Sequence, residues 1–394
     1  MTQSVIPVKT GIYIHIPFCR KKCNYCDFVS TPITQMTQRK TADGTDDPPL
    51  AGHSERSEES HNLIDRYLKV LVKEFSFCLP SSIFHLPSSI YVGGGTPSIF
   101  SEKQIEFLFS NLFKSECVRL NPPYESTYEI NPESITKDKL KLLKSFGINR
   151  LSFGLQALDN NLLKILGRVH TKEDFLKKFD IARKIGFENI NIDLIFGIPE
   201  QTLRDWQKTL TEAITFNTEH ISVYNLTVEE GTNFHKNGVV VDDDLSADMY
   251  EFAIEYLKKN GYHHYEISNF GRPGRQCQHN INYWRNGEYL GFGLGAVSYI
   301  KGKRIKNTEN LTDYLNGKFH SDFEELNNEQ KMSEDLMLGL RLTDGMKISS
   351  KIKEKFSAKI NNLKNDGLLS ERNDFLKLTD KGIMFANCVF REFL

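Results

Sequence analysis

Residues 13–28 read YIHIPFCRKKCNYCDF and place three thiols, Cys19, Cys23 and Cys26, within eight residues. The spacing is C-x3-C-x2-C, and the cluster directly follows a β-branched run that predicts a strand. The whole chain holds 7 cysteines in 394 residues, which is too few for a disulfide scaffold. We therefore expect this cluster to bind a metal or to take part in chemistry.

The type of metal follows from the number of ligands. Structural zinc normally takes four Cys or His ligands in paired spacings. Here a fourth ligand would have to be His15 or a cysteine far along the chain, and those cysteines form no second pair: Cys78, Cys117, Cys277 and Cys388. Three thiolates alone favour an iron–sulfur cube with one iron open to another molecule. Zinc and a chance cluster are the alternatives.

Composition limits the class of protein. The chain is 45.3 kDa, 39% hydrophobic and 26% charged, with a net charge of −1, so it can build a core and lacks the basic excess of a bulk nucleic-acid binder. The N-terminal residues lack the pattern of a secretory signal, and no run of about 18 apolar residues predicts a membrane span. We therefore expect a cytoplasmic protein that does not span a membrane.

The chain alternates between two kinds of pattern up to about residue 228. Short β-branched or aromatic runs predict strands at 12–17, 89–95, 127–132, 150–156, 190–199 and 220–227. Amphipathic runs predict helices at 62–79, 102–116, 134–146, 159–166, 171–186 and 201–217. Six strand–helix units predict an α/β fold with a parallel sheet, closed as a barrel or left open. Residues 31–61 interrupt the order with a polar run that predicts a flexible surface insertion.

Polar residues and glycines gather where the predicted strands end. These positions are His15–Pro17, Gly93–Thr96, Glu129, Gln156 and Asp193. Because reactive groups of such folds lie at the carboxyl ends of the strands, we expect these residues to share one site. Single glycines more often only turn the chain, but that explanation is weak for the whole set.

Several motifs together resemble those of radical S-adenosylmethionine (SAM) enzymes, in the group related to oxygen-independent coproporphyrinogen III oxidase. Beside the cysteine motif, they are GGGTPS at 93–98, YEINPES at 128–134, RLSFGLQ at 150–156, LGRVH at 166–170 and NIDLIFGIPEQT at 191–202. The resemblance implies a partial TIM-type (β/α)6 barrel. It also implies that Cys19, Cys23 and Cys26 bind a 4Fe–4S cluster whose fourth iron binds SAM. The implied SAM contacts are Tyr13, Gly94, Gly95, Thr96, Glu129, Gln156, Arg168 and Asp193.

Two departures decide between branches of that group. The oxidase carries a fourth cysteine where this chain has Phe28, and it has a longer segment before the cluster strand. The chain instead resembles the HemW-type haem chaperones, including their H-N-x-x-Y-W motif, here at 279–284. The resemblance implies haem as cargo for respiratory haem proteins, with His279, Tyr283 and Trp284 as candidate haem contacts. The alternatives are an oxidase and, for His279, a hydrogen-bonded core histidine.

The rest of the chain forms two further units. We assign 1–228 to the barrel core, 229–324 to a barrel extension and 325–394 to a C-terminal α+β unit that resembles a winged helix. Winged helices can bind DNA, but 12 basic and 9 acidic residues in 331–394 give only 12 − 9 = +3. We expect no nucleic-acid partner and assign this unit to a lid or partner surface. A homodimer and a peripheral membrane contact are left open.

Overall fold

The structure is a computed structural model and describes residues 10–33, 53–78, 87–112 and 124–394. The first half forms β1 (Gly11–Ile16), β2 (Phe18–Cys19), β3 (Thr31–Pro32), α1 (His53–Cys78), β4 (Ser89–Gly94), α2 (Glu102–Leu112), β5 (Glu125–Ile130), α3 (Lys137–Ser145), β6 (Arg150–Gln156), α4 (Asn160–Ile165), α5 (Lys172–Ile185), β7 (Ile190–Phe196), α6 (Leu203–Thr215) and β8 (His220–Asn225). Then follow α7 (Asn233–Lys236), α8 (Asp243–Lys259), β9 (His263–Glu266), β10 (Asn269–Gly271), α9 (Gln278–Trp284), β11 (Tyr289–Phe292), β12 (Val297–Ile300), β13 (Lys303–Asn307), α10 (Leu311–Leu315) and β14 (His320–Glu325). The C-terminal unit has α11 (Asn328–Gly339), β15 (Met346–Lys347), α12 (Ser350–Lys355), α13 (Ser357–Asn365), β16 (Leu369–Arg372), β17 (Phe375–Leu378), α14 (Asp380–Met384) and α15 (Ala386–Arg391).

The six predicted strands form the parallel centre of one sheet. Their order is β1-β4-β5-β6-β7-β8, so each strand pairs with the next one of the series. This order brings all six carboxyl ends to the same edge. The predicted α/β fold with strand–helix repeats is confirmed.

The sheet does not close on itself. On one side of β1 it continues through β11 into the antiparallel strands β12, β13 and β14, and beyond β8 it continues through β10 and β9. The predicted open, partial TIM-type barrel is therefore confirmed. These antiparallel additions were not predicted, because glycines interrupt the apolar run at 290–300 and leave no clear period of two.

Side-chain alternation along β1 separates the two faces of the sheet. Ile12, Ile14 and Ile16 are buried in the main hydrophobic core, to which the helices also contribute. Tyr13 and His15 alternate with them and lie on the inner face of the barrel. The inner face is thus polar near the carboxyl edge, where a site can form.

Helix α5 shows how local sequence sets an element. The Thr171 side chain accepts a hydrogen bond from the Asp174 backbone N–H, and the Asp174 carboxylate accepts one from the Thr171 backbone N–H. The helix ends at Gly186, whose φ of 96° favours glycine. Thr171 and Gly186 are the first and last residues of the helix predicted at 171–186.

The predicted insertion at 31–61 differs from the structure at both ends. Thr31 and Pro32 pair with Phe18 and Cys19, and α1 begins at His53 rather than at residue 62. The polar run that opens this helix contains no Gly or Pro and three Glu residues, which are good helix formers. Residues 34–52 lie outside the described residues.

The C-terminal unit has its own hydrophobic core, built around Leu336, Leu376 and Val389. Its sheet has the order β15-β17-β16, and the β16–β17 hairpin follows three helices, as the winged-helix pattern predicts. The short strand β15 and the two helices after the hairpin were not predicted.

This unit spans the open side of the barrel. The Arg304 guanidinium on β13 binds the Glu334 carboxylate on α11 through two contacts of 2.8 and 3.0 Å. At the other end of the sheet, Leu342 forms a bridge with Glu266 on β9. None of the residues 325–394 lines the cavity described below, so the expected lid over its mouth is not seen.

Candidate cofactor cavity at the carboxyl ends of the strands

A cavity of about 420 Å³ lies at the carboxyl edge of the six parallel strands. This volume is within the usual range for small-molecule sites. All but one of the predicted cluster and SAM residues line it: Cys19, Cys23, Cys26, Gly94, Gly95, Thr96, Glu129, Gln156, Arg168 and Asp193. The structure thus brings together residues that lie up to 174 positions apart (193 − 19).

The cysteine loop is tied to the opposite wall of the barrel. The Asn24 backbone N–H donates to the Leu166 carbonyl at 3.0 Å, and its side-chain amide donates to the Ile165 carbonyl at 2.9 Å. The Phe234 backbone N–H in turn donates to the Asn24 carbonyl at 2.9 Å. These bonds hold the loop across the mouth without engaging the three thiols.

His15 supports this loop and is not available as a metal ligand. Its Nε2 lies 2.8 Å from the Val29 carbonyl oxygen, so Nε2 carries the proton and donates. Its Nδ1, 3.0 Å from the Tyr13 hydroxyl, is then the acceptor. Burial lowers the pKa of His15, which keeps the ring neutral.

The geometry fits a cluster better than a single metal ion. Among the described residues, no three His, Cys, Asp or Glu side chains are placed to hold one ion. A cube makes a different demand, because each cysteine binds a different iron. Cys277 is buried beside Glu125, away from the cavity, and Cys388 is exposed on the C-terminal unit; neither lines the cavity with the three-cysteine loop. Cys78 has no described side chain, and Cys117 lies outside the described residues.

Burial raises the pKa of Cys19 to about 11, and burial also raises the pKa of Cys26. A thiolate at these positions therefore needs a positive partner, which iron would supply. Cations of the chain lie near these thiols: Arg168 Nη1 donates to Cys23 Sγ at 3.5 Å, and the charge of Lys22 acts on Cys19 and Cys26. The three thiols are thus suited to a metal cluster with cationic side chains beside it.

The glycine run at the end of β4 packs closely against the start of the cluster loop. A Cβ atom at Gly95 would lie 2.6 Å from the Phe18 carbonyl oxygen, which belongs to the backbone and cannot easily move. Gly94 has a φ of 111°. The Gly94 N–H donates to Glu129 Oε2 at 3.0 Å. Glycine is therefore required here by both space and backbone conformation.

Glu129 is held on the floor of the cavity. Its Oε1 accepts a hydrogen bond of 2.7 Å from the Tyr91 hydroxyl. Burial raises the pKa of Glu129 to about 7, with a further contribution from the negative charge of Asp193, while the two hydrogen bonds oppose the shift. A cationic ligand in this cavity would favour the ionised carboxylate.

Asn131 joins two of the predicted SAM residues. Its Oδ1 accepts from Arg168 Nη2 at 2.6 Å, and its Nδ2 donates to Thr96 Oγ1 at 3.0 Å. Arg168 also donates to the Gly154 carbonyl at 2.9 Å, while its Nε is buried and has no hydrogen-bond partner within the protein. Arg168 also lines the cavity, where a guanidinium can pair with a carboxylate-bearing ligand.

Gln156 and Asp193 occupy neighbouring strand ends. Gln156 has a φ of 67°, which is unusual for a residue with a side chain and is typical of functional sites. Asp193 accepts hydrogen bonds from Asn191 at 2.8 Å and Ser152 at 3.2 Å. Burial raises the pKa of Asp193. Both side chains face the same space as Glu129.

Tyr13 is the predicted SAM residue that does not line the cavity. Its hydroxyl is bound to His15, and its ring lies 6.2 Å from that of Tyr91, so it supports residues that do line the cavity. Sequence reasoning did not select Tyr91 or Asn131. Their positions, two residues before Gly93 and two residues after Glu129, place them on the same inner face and could have identified them.

The predicted haem residues do not line this cavity: His279 lies at the amino ends of the strands, and its ring stacks at 5.2 Å on that of Tyr91, which does line the cavity. His279 is 1% exposed, its Nδ1 lies 2.9 Å from Ser89 Oγ and its Nε2 lies 3.1 Å from the Tyr283 hydroxyl. Trp284 packs under the Arg341 guanidinium at 4.3 Å, and its Nε1 has no hydrogen-bond partner. To bind haem iron, His279 would have to leave one of its partners; this role stays a prediction.

Comparison with known proteins agrees with the fold and the cavity. The pattern of the Radical SAM superfamily matches residues 13–213, and that of the HemN C-terminal domain matches residues 326–385. The solved structure of coproporphyrinogen III oxidase (HemN) from Escherichia coli aligns with a TM-score of 0.79 at 23% identity, covering 99% of this chain and 91% of that one. This likeness shows the fold.

Two curated relatives align with this chain over nearly its whole length. The heme chaperone HemW of Bacillus subtilis is 34% identical, covering 97% of this chain and 98% of the relative. The heme chaperone HemW of Lactococcus lactis is 35% identical, covering 97% and 96%. The chain therefore belongs to the radical SAM superfamily and, within it, to the HemW family.

Proposed function

We propose that the chain is a cytoplasmic haem chaperone that binds a 4Fe–4S cluster, SAM and haem and delivers the haem to respiratory haem proteins. The observation that carries the proposal is the single cavity that gathers three thiols, a paired Glu129 and the guanidinium of Arg168. The choice of haem as the cargo rests on similarity over nearly the full length to proteins named heme chaperone HemW. No helix of the described residues is long and apolar enough to cross a membrane.

In this proposal, Cys19, Cys23 and Cys26 hold the cluster. When bound, the cluster and SAM together would supply one-electron chemistry at the sulfonium of SAM, and the protein would position the two cofactors. Glu129 and Asp193 accept hydrogen bonds from ammonium or hydroxyl groups of the ligand, and Arg168 pairs with its carboxylate. Tyr91, Asn131 and His15 orient these groups and the loop.

Phe28 favours a chaperone over the oxidase alternative. At the position where the oxidase carries a fourth cysteine, this chain presents an aromatic side chain that is 62% exposed at the cavity. A phenyl ring cannot bind iron or donate a hydrogen atom as a thiol can, but it can pack on a flat apolar cargo.

An anaerobic experiment tests the proposal. After reconstitution of the cluster, haem is titrated into the protein and followed by its Soret band, and coproporphyrinogen is incubated with SAM and reductant for product analysis. We expect a stoichiometric, saturable Soret shift and no decarboxylated product.

Transfer is tested by mixing the haem-loaded chaperone with the purified apo-form of a respiratory haem protein, in the absence of membranes. The two proteins are then separated by affinity chromatography, and the haem content of each is measured. Haem should leave the chaperone and appear on the recipient. Formation of protoporphyrinogen without stable haem binding would overturn the chaperone assignment in favour of the oxidase.

A further inference from the structure

Three exposed apolar side chains line the mouth of the cavity. Phe28, Val169 and Tyr224 all line it, and 62%, 46% and 40% of their surfaces are exposed. The other exposed large apolar side chains in the described part of the chain do not line it. Clustered apolar exposure at a cavity is typical of a binding surface.

The three side chains come from separate segments that are held in place. Phe28 lies on the cysteine loop, Val169 follows α4, and Tyr224 is near the end of β8. The hydrogen bonds of Asn24 to Ile165 and Leu166 fix the cysteine loop against the segment that precedes Val169. The apolar patch is thus part of a fixed wall.

Charge is divided around this mouth. Lys21 and Lys22 line the cavity, and Lys22 Nζ donates to the Phe28 carbonyl at 3.4 Å, which places a cation directly beside the patch. The acidic Asp27, which precedes Phe28 in the chain, and Glu229 also line the cavity. The ammonium groups of Lys21 and Lys22 are available to pair with an anionic ligand.

We infer that haem binds at this mouth, with its macrocycle against Phe28, Val169 and Tyr224 and its propionates on the side of Lys21 and Lys22. This inference rests on the proposed haem-chaperone function and gives it a place. A flat apolar ring with two carboxylates on one edge matches an apolar wall bordered on one side by ammonium groups.

The location has a consequence for delivery. The deep part of the cavity is polar, formed by Glu129, Asp193 and Arg168, so it suits a small zwitterion and the macrocycle stays outside it. Haem at the mouth keeps an edge in solvent, from which a recipient can remove it. Haem at His279 would instead be enclosed among side chains that are already paired.

Substitutions at the mouth test this site. In the full chain with reconstituted cluster, Phe28→Ala should weaken haem binding about thirtyfold, as loss of one buried aromatic contact predicts. The control Phe323→Ala removes a 57% exposed phenyl on β14, outside the cavity, and should leave haem affinity unchanged. Phe28→Leu should restore most of the affinity.

The double variant Lys21→Ala, Lys22→Ala should lose about tenfold in haem affinity at low salt and less at high salt. Its control is Lys258→Ala, Lys259→Ala, an exposed pair at the end of α8. Iron content and the circular dichroism spectrum are measured for every variant, so that a lost cluster or a misfolded chain is not mistaken for a lost haem contact.

The two hypotheses fail in different ways. If the wild type shows no saturable Soret shift, the proposed function is wrong. If the wild type binds haem and both mouth variants, with normal iron content, bind it equally well, the site is wrong and the function stands. Retained binding in the mouth variants together with a lost Soret shift in His279→Ala, with normal iron content, would move the site to His279.

Discussion

The two ends of the parallel strands are both rich in polar side chains, but they use them differently. At the carboxyl end, the three thiols, Glu129 and Asp193 line a cavity. At the amino end, the first residues of four strands are polar and at most 8% exposed: Ser89, Glu125, Arg150 and His220. Polarity alone therefore does not mark a site; polarity that faces open space does.

The amino end is closed by α9. Glu125 accepts hydrogen bonds from the Cys277 thiol at 3.2 Å and from the backbone N–H groups of Gln278 at 3.0 Å and His279 at 3.2 Å. His220 is bound on both ring nitrogens, to Asn191 at 2.6 Å and to Tyr265 at 2.9 Å. These bonds close the amino end with paired side chains, and we call Glu125, His220, Cys277 and His279 with their partners the amino-end plug.

The largest expected effect is at the carboxyl end. Replacing Cys19, Cys23 and Cys26 together by Ala should abolish the brown chromophore and reduce bound iron to background, because no other cysteine with a described side chain lines the cavity. Iron and sulfide analysis after anaerobic reconstitution measures this. Stoichiometric iron in the triple variant would show that other residues bind the cluster. A Cys388→Ala control should keep full iron content, since that cysteine is exposed elsewhere.

The matching disruption at the amino end should cost stability and leave the cofactor site intact. Glu125→Ala removes three accepted hydrogen bonds and a carboxylate whose charge acts on Arg150, which is 2% exposed. We expect a loss of about 3–5 kcal/mol in the free energy of unfolding. Urea denaturation measures it, and iron content per folded molecule should stay normal. A loss below 1 kcal/mol would mean that the amino-end plug is not a stabilising element.

The comparison also explains what the sequence could predict. The six central strands and the residues at their carboxyl ends were predictable, because each depends on local periodicity and a strand end. The position of His279 at the amino end of the sheet was not predictable, because its hydrogen-bond partner Ser89 is 190 residues away in the chain. The spacing H-N-x-x-Y-W says nothing about which end of a sheet its helix covers. Tyr91 and Asn131 were missed because their roles depend on contacts with Glu129, Arg168 and Thr96.

A smaller effect should appear in the pH dependence of SAM binding. Because the pKa of Glu129 is raised to about 7, the carboxylate is mostly protonated at pH 6 and mostly ionised at pH 8. Binding of a cation should favour the ionised form, so affinity should fall about tenfold between pH 8 and pH 6 through this group. Calorimetry on the reconstituted protein measures the effect. The control is Glu129→Gln, in which any remaining pH dependence of SAM affinity comes from SAM itself or from other groups. If affinity changed with pH equally in the wild type and in Glu129→Gln, the assigned role of Glu129 would be wrong.

The smallest effect concerns His279 and separates packing from haem ligation. Ser89→Ala removes one hydrogen bond to the ring, and burial, with the charge of Arg150, lowers the pKa of His279 to about 3, so the ring stays neutral and polar in the interior. We expect a loss of about 1 kcal/mol in unfolding free energy, the usual value for one buried hydrogen bond. The haem affinity should not change, because the mouth lies at the opposite end of the strands. An increase in haem affinity would instead show that freeing His279 Nδ1 creates or exposes the iron ligand, and the amino-end plug would then be part of the cargo site.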